Sequence, residues 1–243
     1  MSLLAGWPWW QQQLIGIGAV GLWLAGLAFA AIQLRARTTA ALSGTASGVA
    51  AASTREWSRK LVHIGTGAVV PIAWLVGIDR LIAIPAAAAI TLLAAINHRY
   101  RLLPAIEDVG RHSYGTIAYG ASITLLLCRF WPQHSDAVCA GVLVMAVGDG
   151  LAGVIGSWVR SPSWVLFGHR KSLVGTAVMA SSALLVLLLL AQISPLLGAD
   201  SAPPLGGLVA IALIATSLEQ LAWLGIDNLS VPIVSGWLWA SWR

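Results

Sequence analysis

Hydrophobic residues run through this chain in long blocks rather than in alternation. Blocks near 14–34, 61–78, 79–96, 114–130, 137–157, 173–193, 205–223 and 228–242 carry very little charge. A bilayer crossing takes about 17–25 mostly apolar residues. The pattern therefore predicts an all-α polytopic membrane bundle of about seven to eight transmembrane helices. The uncertainty in the count lies in the last block, which is short and holds Trp237, Trp239 and Trp242. That composition also suits the aromatic belt at a membrane surface.

Composition agrees with this reading. Only 9% of the 243 residues are charged, against about 25% in a typical soluble domain, and the mean hydropathy is +0.82. The spans exhaust the length, so no separate soluble domain fits. The formal net charge of +5 reports topology before it reports an anionic partner, and no basic surface interleaved with aromatics suggests nucleic acid. Arg35, Arg37, Arg55, Arg59 and Lys60 lie in one linker, Arg99, Arg101 and Arg111 in a second, and Arg160, Arg170 and Lys171 in a third. The other connections and the terminus hold only Arg80, Arg129 and Arg243. Cytoplasmic loops collect Lys and Arg, so these three linkers are expected inside and the N-terminus outside.

The organisation expected is an N-terminal anchor span over 1–35, a cytoplasmic linker over 36–58 and a polytopic membrane domain over 59–243. Met1 to Gln13 lacks the basic start of a secretory signal, so the first span is read as a retained anchor. The linker is rich in Ala, Ser, Thr and Gly over 38–52 and reads as mobile. It ends in Ser53-Thr54-Arg55-Glu56, a capping-box pattern that starts a helix. Cys128 and Cys139 read as small hydrophobes rather than a disulfide.

Candidate chemistry centres on Asp149, an acid between Gly148 and Gly150 inside an apolar block. A carboxylate in hydrocarbon costs a few kcal/mol and marks a functional site by default. It reads either as a structural acid paired with an arginine or as a Mg²⁺ ligand, since Mg²⁺ uses one or two carboxylates plus substrate phosphates. Gly148 and Gly150 flank the acid as a possible close approach for phosphate, whereas Gly153 and Gly156 fit small-residue helix packing equally well. Arg170 and Lys171 are either positive-inside anchors or, with Ser172 as N-cap of the next helix, a phosphate cradle. Glu219 is a second acid in an apolar block. Asp227 and Asn228 are either site residues or turn residues before Pro232. His63 follows Arg59 and Lys60 by one turn and is either packed or in contact with phosphate. Glu107 and Asp108 either pair with nearby arginines or supply a base or metal contact. The whole inventory suits an anionic ligand met at the cytoplasmic side, with nucleotide from water and an oily alcohol from the bilayer. Phosphoryl transfer relies chiefly on positioning, metal and cations. No Walker A or Ser-His-Asp pattern is present.

Five ordered segments carry a resemblance: R-K-L-V-H-I-G-T-G (59–67), L-P-A-I-E-D-V-G-R-H-S-Y-G-T (103–116), G-D-G-L-A-G-V-I-G (148–156), R-K-S-L-V-G-T (170–176) and L-G-I-D-N-L-S-V-P (224–232). In this order they resemble the motifs of the membrane-bound polyprenol kinases, specifically the phytol kinases of cyanobacteria and plastids. The resemblance implies CTP-dependent phosphorylation of phytol to phytyl phosphate, in tocopherol (vitamin E) synthesis and phytol salvage, in a cell or thylakoid membrane. The roles expected are Asp149 on Mg²⁺, and Arg170, Lys171 and Ser172 on the nucleotide phosphates. Glu219 or Asp227 would take the alcohol's proton or complete the metal shell, and Arg59, Lys60, His63, Gly148, Gly150 and Asn228 would be further contacts. No obligate protein partner is expected. Many relatives carry a second acid where this chain has Gly153, so a second carboxylate would come from Glu219, Asp227 or Asp108. A lipid-phosphate cytidylyltransferase and a transporter of an anionic metabolite are the alternatives.

Overall fold

The computed structural model describes residues 3–42, 60–100, 114–221 and 223–243. Among them the fold is an all-α helical bundle with one small hairpin. In chain order the elements are α1 (Trp9–Leu42), α2 (60–67), α3 (Val69–Val76), α4 (Arg80–Tyr100), α5 (Gly115–Phe130) and α6 (Ser135–Trp158). The strands β1 (Ser163–Leu166) and β2 (His169–Ser172) follow, then α7 (Leu173–Ile193), a 3₁₀ turn (Ser194–Leu197), α8 (Leu205–Gln220) and α9 (Asp227–Trp242).

Among the described residues, four stretches are long and apolar enough to cross a membrane: Trp9–Leu34, Arg80–Tyr100, Ser135–Trp158 and Leu173–Leu197. Three shorter apolar helices cover Lys60–Val76, Gly115–Phe130 and Leu205–Gln220. The bundle's outer surface is apolar as well, with Leu22, Phe29, Leu81, Leu92, Leu93 and Leu185 all exposed. A water-facing surface would place charge there, and a lipid-facing one does not.

Three boundaries differ from the expected blocks, each for a local reason. Helix α1 continues past 34 to Leu42, because Arg35 to Leu42 are mostly good helix formers and the first glycine comes at Gly44. The remainder of the linker, 43–59, with its capping-box pattern and Arg59, lies outside the described residues. The block at 61–78 is broken at Ala68. Pro71 has no N–H to offer the Gly67 carbonyl four residues back, so α2 ends there and α3 restarts. The block at 205–223 stops at Gln220, where Leu224 and Gly225 turn the chain with φ of 53° and 84°.

Helix α6 is the centre of the bundle. Its first eight residues, Ser135 through Val142, are all buried, and the helix packs chiefly against α7 and α9. Val138, Val142, Met145, Met179, Ile211, Val231 and Trp239 fill the core. Small residues let the helices close up. A Cβ added at Gly141 would strike the Pro232 carbonyl of α9, and one at Gly156 would come 3.0 Å from the Gly175 Cα of α7. Both cysteines are free, Cys139 buried and Cys128 exposed.

Candidate active site

The second half of α6 carries Asp149 to the end of the bundle where α2, the hairpin, the end of α8 and the start of α9 meet. Lys60, the first residue of α2, donates from Nζ to Asp149 Oδ2 at 2.8 Å and to the Asp149 carbonyl at 3.2 Å. One turn along α2, His63 places Nε2 3.7 Å from the same carboxylate oxygen. The i, i+3 spacing puts Lys60 and His63 on one helix face. The His63 ring lies against Tyr119 of α5, with centroids 4.8 Å apart.

Gly153, one turn beyond Asp149, makes room for this pair. A Cβ there would sit 2.6 Å from Lys60 Cε and 2.8 Å from its Nζ, so the lysine occupies the space a side chain would take. Gly148 and Gly150 face packed neighbours. A Cβ at Gly148 would come 2.5 Å from Met179 Sδ, and one at Gly150 would strike Ile64. These two glycines bring α7 and α2 in against the Asp149 turn.

Lys171 is delivered by the hairpin. Phe167 and Gly168 form its tip with φ of 49° and 79°, the left-handed pair that a two-residue type I′ turn needs. Strands alternate their faces, so Arg170 and Lys171 point in opposite directions. Lys171 points inward, where Nζ donates to the Glu219 carboxylate and, at 2.8 Å, to the Glu219 carbonyl. Arg170 points outward and is exposed, its Nε 3.2 Å from Ser163 Oγ.

Ser172 caps α7, its Oγ accepting from Gly175 N–H at 3.1 Å. The N–H of Leu173 goes to the Pro162 carbonyl at 2.9 Å and that of Val174 to Ser161 Oγ at 3.3 Å. The first three donors of α7 are therefore already bonded within the chain. That leaves Lys171 as the member of the Arg-Lys-Ser triplet presented to the carboxylate cluster.

Glu219 lies in the last turn of α8 and Asp227 begins α9, and the tight turn between them brings both acids to the cluster. Each is 7% exposed. Asp227 Oδ1 has no hydrogen-bond partner, while Asp149, Glu219 and Lys171 all lie near enough for their charges to act on it. Asn228 turns its amide toward the Gly225 carbonyl at 3.5 Å. Arg59, Glu107 and Asp108 lie outside the described residues.

Sequence reading passed over Gln220. Its Nε2 donates to Glu219 Oε2 at 2.9 Å and to Thr176 Oγ1 of α7 at 3.1 Å, while its Oε1 is buried without a partner. The available signal was a second polar residue directly after Glu219 in an apolar block.

The cluster therefore holds three carboxylates (Asp149, Glu219, Asp227) against two ammonium groups (Lys60, Lys171), with the buried Asp227 Oδ1 unpartnered. Such a surplus of hard oxygen fits a divalent cation. Among the described residues no group of three or more His, Cys, Asp or Glu is gathered closely enough to chelate one. Mg²⁺ requires only one or two carboxylates when phosphate oxygens supply further ligands. Asp149 and Asp227 are the residues that would hold it.

No protein-family model matches the chain, and no solved structure matches it. A curated protein does: phytol kinase from Synechocystis sp. is 40% identical over 191 residues, which cover 77% of this chain and 80% of that protein. The chain belongs to the phytol kinase family. Membership makes it a kinase, a phosphotransferase with an alcohol acceptor. The buried acids at this end of the bundle thus belong to a kinase.

Proposed function

We propose that this chain is an integral membrane kinase transferring the γ-phosphoryl group of CTP to phytol, or to a closely related prenyl alcohol, giving phytyl phosphate and CDP. The observation that carries the reading is the buried cluster of three carboxylates and two lysines at one end of an apolar bundle. A charged donor can enter that end from water, and an oily alcohol can reach it between helices from lipid. By the positive-inside bias this end faces the cytoplasm, in a cell or thylakoid membrane. The product would feed tocopherol synthesis and the salvage of phytol.

In this reading Lys171 and Lys60 neutralise the donor's phosphates, with His63 beside them. A buried lysine next to a phosphate acts strongly because little water screens it. Asp149 and Asp227 would hold Mg²⁺, which when bound would offset the negative charge on the donor's phosphates. The alcohol oxygen forms its bond to the γ-phosphorus as the bond from that phosphorus to the β,γ-bridging oxygen breaks. The hydroxyl proton passes to the Glu219 carboxylate, and CDP leaves. Gln220 holds Glu219 in place through Oε2.

The test is to incubate membranes containing the chain with CTP labelled at the γ-phosphate and a panel of prenols. Label is expected in phytyl phosphate, with CDP released, and chelation of divalent cations should stop the transfer. Release of pyrophosphate would mean cytidylyl transfer instead. Movement of an anion across vesicles without nucleotide turnover would mean a transporter. Either result overturns the proposal.

A further inference from the structure

The hairpin between α6 and α7 has a surface that delivering Lys171 does not require. Val165 is 71% exposed and Phe167 58%, and Trp158 at the end of α6 is 66% exposed. Trp164, across the ladder from Lys171, is also exposed. Arg160 and Arg170 are exposed beside them. The tip is chemically odd. A type I′ turn prefers Asn-Gly or Asp-Gly, and a bulky side chain at positive φ is an outlier. This chain nevertheless sets Phe167 there, at φ 49°, with the ring facing outward.

Connectivity decides what surrounds that ring. Both α6 and α7 are long apolar helices fit to cross a bilayer. The segment joining them is short and leaves the bundle at one membrane surface. Aromatic rings concentrate at the level of the lipid headgroups, and Arg side chains beside them pair with anionic headgroups.

We propose that the β1–β2 hairpin is a membrane-docking element: Phe167 and Val165 insert into the adjacent leaflet, and Arg160 and Arg170 contact anionic lipid headgroups. The outward arginine of the Arg-Lys pair is thereby a lipid contact, while its neighbour serves the carboxylate cluster. Lipid at the tip and Lys171 at the base are linked by one short ladder, so docking holds the lysine's strand in place. The inference needs α6 and α7 to span the membrane and goes beyond the kinase reading.

The test uses the full chain in nanodiscs of phosphatidylglycerol and phosphatidylcholine, where both faces are open to solvent. A lipid carrying a photoreactive group near its headgroup is crosslinked to the unmodified chain and the adducts are mapped by mass spectrometry. Adducts are expected within 160–170 and should diminish in phosphatidylcholine alone. In parallel, an environment-sensitive dye is placed at F167C, with Cys128 and Cys139 replaced by serine and alanine, and at D200C on an exposed polar loop. The dye at 167 is expected to be blue-shifted and shielded from aqueous iodide relative to the dye at 200. Equal iodide access at the two positions, with no adducts in the hairpin, overturns the proposal. A shielded dye at 167 with no lipid adducts in the hairpin would assign the tip to a protein contact and overturn it as well. Because neither readout involves turnover, failure here leaves the kinase reading standing.

Discussion

Helix α6 carries two buried aspartates with opposite surroundings. Asp136 and Asp149 lie about 20 Å apart at the rise of an α-helix. Asp136 is 1% exposed and fully partnered. Trp239 Nε1 donates to it at 2.8 Å, and Arg243 Nη1 donates to both oxygens at 3.0 and 3.2 Å. Arg243 also contacts the His134 ring. One carboxylate meets one guanidinium and the charges close. At the other end, Asp149 shares Lys60 and His63 with a crowded neighbourhood in which carboxylates outnumber ammonium groups and Asp227 Oδ1 is unpartnered. A closed pair fastens helices together. An open cluster is left wanting cations, and it is the one suited to a charged substrate.

That contrast makes separable predictions. The largest effect is expected for Asp149→Asn, which should lower phosphoryl transfer by about a thousandfold, the scale of losing one preorganised electrostatic group. Its melting temperature in detergent should fall by less than that of D136A, because the Asn amide oxygen can still accept from Lys60, and an active D149N protein would place the chemistry elsewhere. Asp136→Ala should do the reverse. Stranding a buried guanidinium costs about 3–5 kcal/mol of stability, read as a lowered melting temperature, while the surviving folded protein keeps its turnover. A stable but inactive D136A would erase the distinction between the two ends. Lys171→Met should cost about a hundredfold in kcat/KM, whereas Arg170→Ala, on the outward face, should stay within about twofold in detergent. Comparable losses in both would mean that the strand alternation does not sort the two cations. The smallest site effect is expected for Gln220→Ala. Loss of about 1 kcal/mol of hydrogen bonding corresponds to roughly fivefold in rate, and Gln220→Glu should not restore it.

Much of the cluster was legible because charge inside hydrocarbon is conspicuous. Asp149, Glu219 and Lys171 stand out within or beside apolar blocks, and Lys60 and His63 are one helical turn apart. Asp136 was not legible as a core residue. It lies near a turn, and its partners Trp239 and Arg243 are more than a hundred positions away, so no local pattern links them. The hairpin was hidden for a different reason. Ser163 to Ser172 contains a Phe-Gly turn where Asn-Gly would have been an obvious signal, so the stretch reads as a loop. The capping role of Ser172 was visible from its place before the apolar block. The occupation of the next three N–H groups by Pro162, Ser161 and Ser172 was not, because it depends on how the hairpin folds back.

The two-residue period of β2 has a further consequence for how this enzyme can change. Which cation enters the cluster is decided by odd or even position along the strand, as well as by the residue type. Deleting one residue from the hairpin would exchange the two faces, turning Arg170 inward and Lys171 out, with every side chain still present. A single-residue change in loop length is therefore damaging here even though no cluster side chain is lost, whereas a two-residue change keeps the alternation.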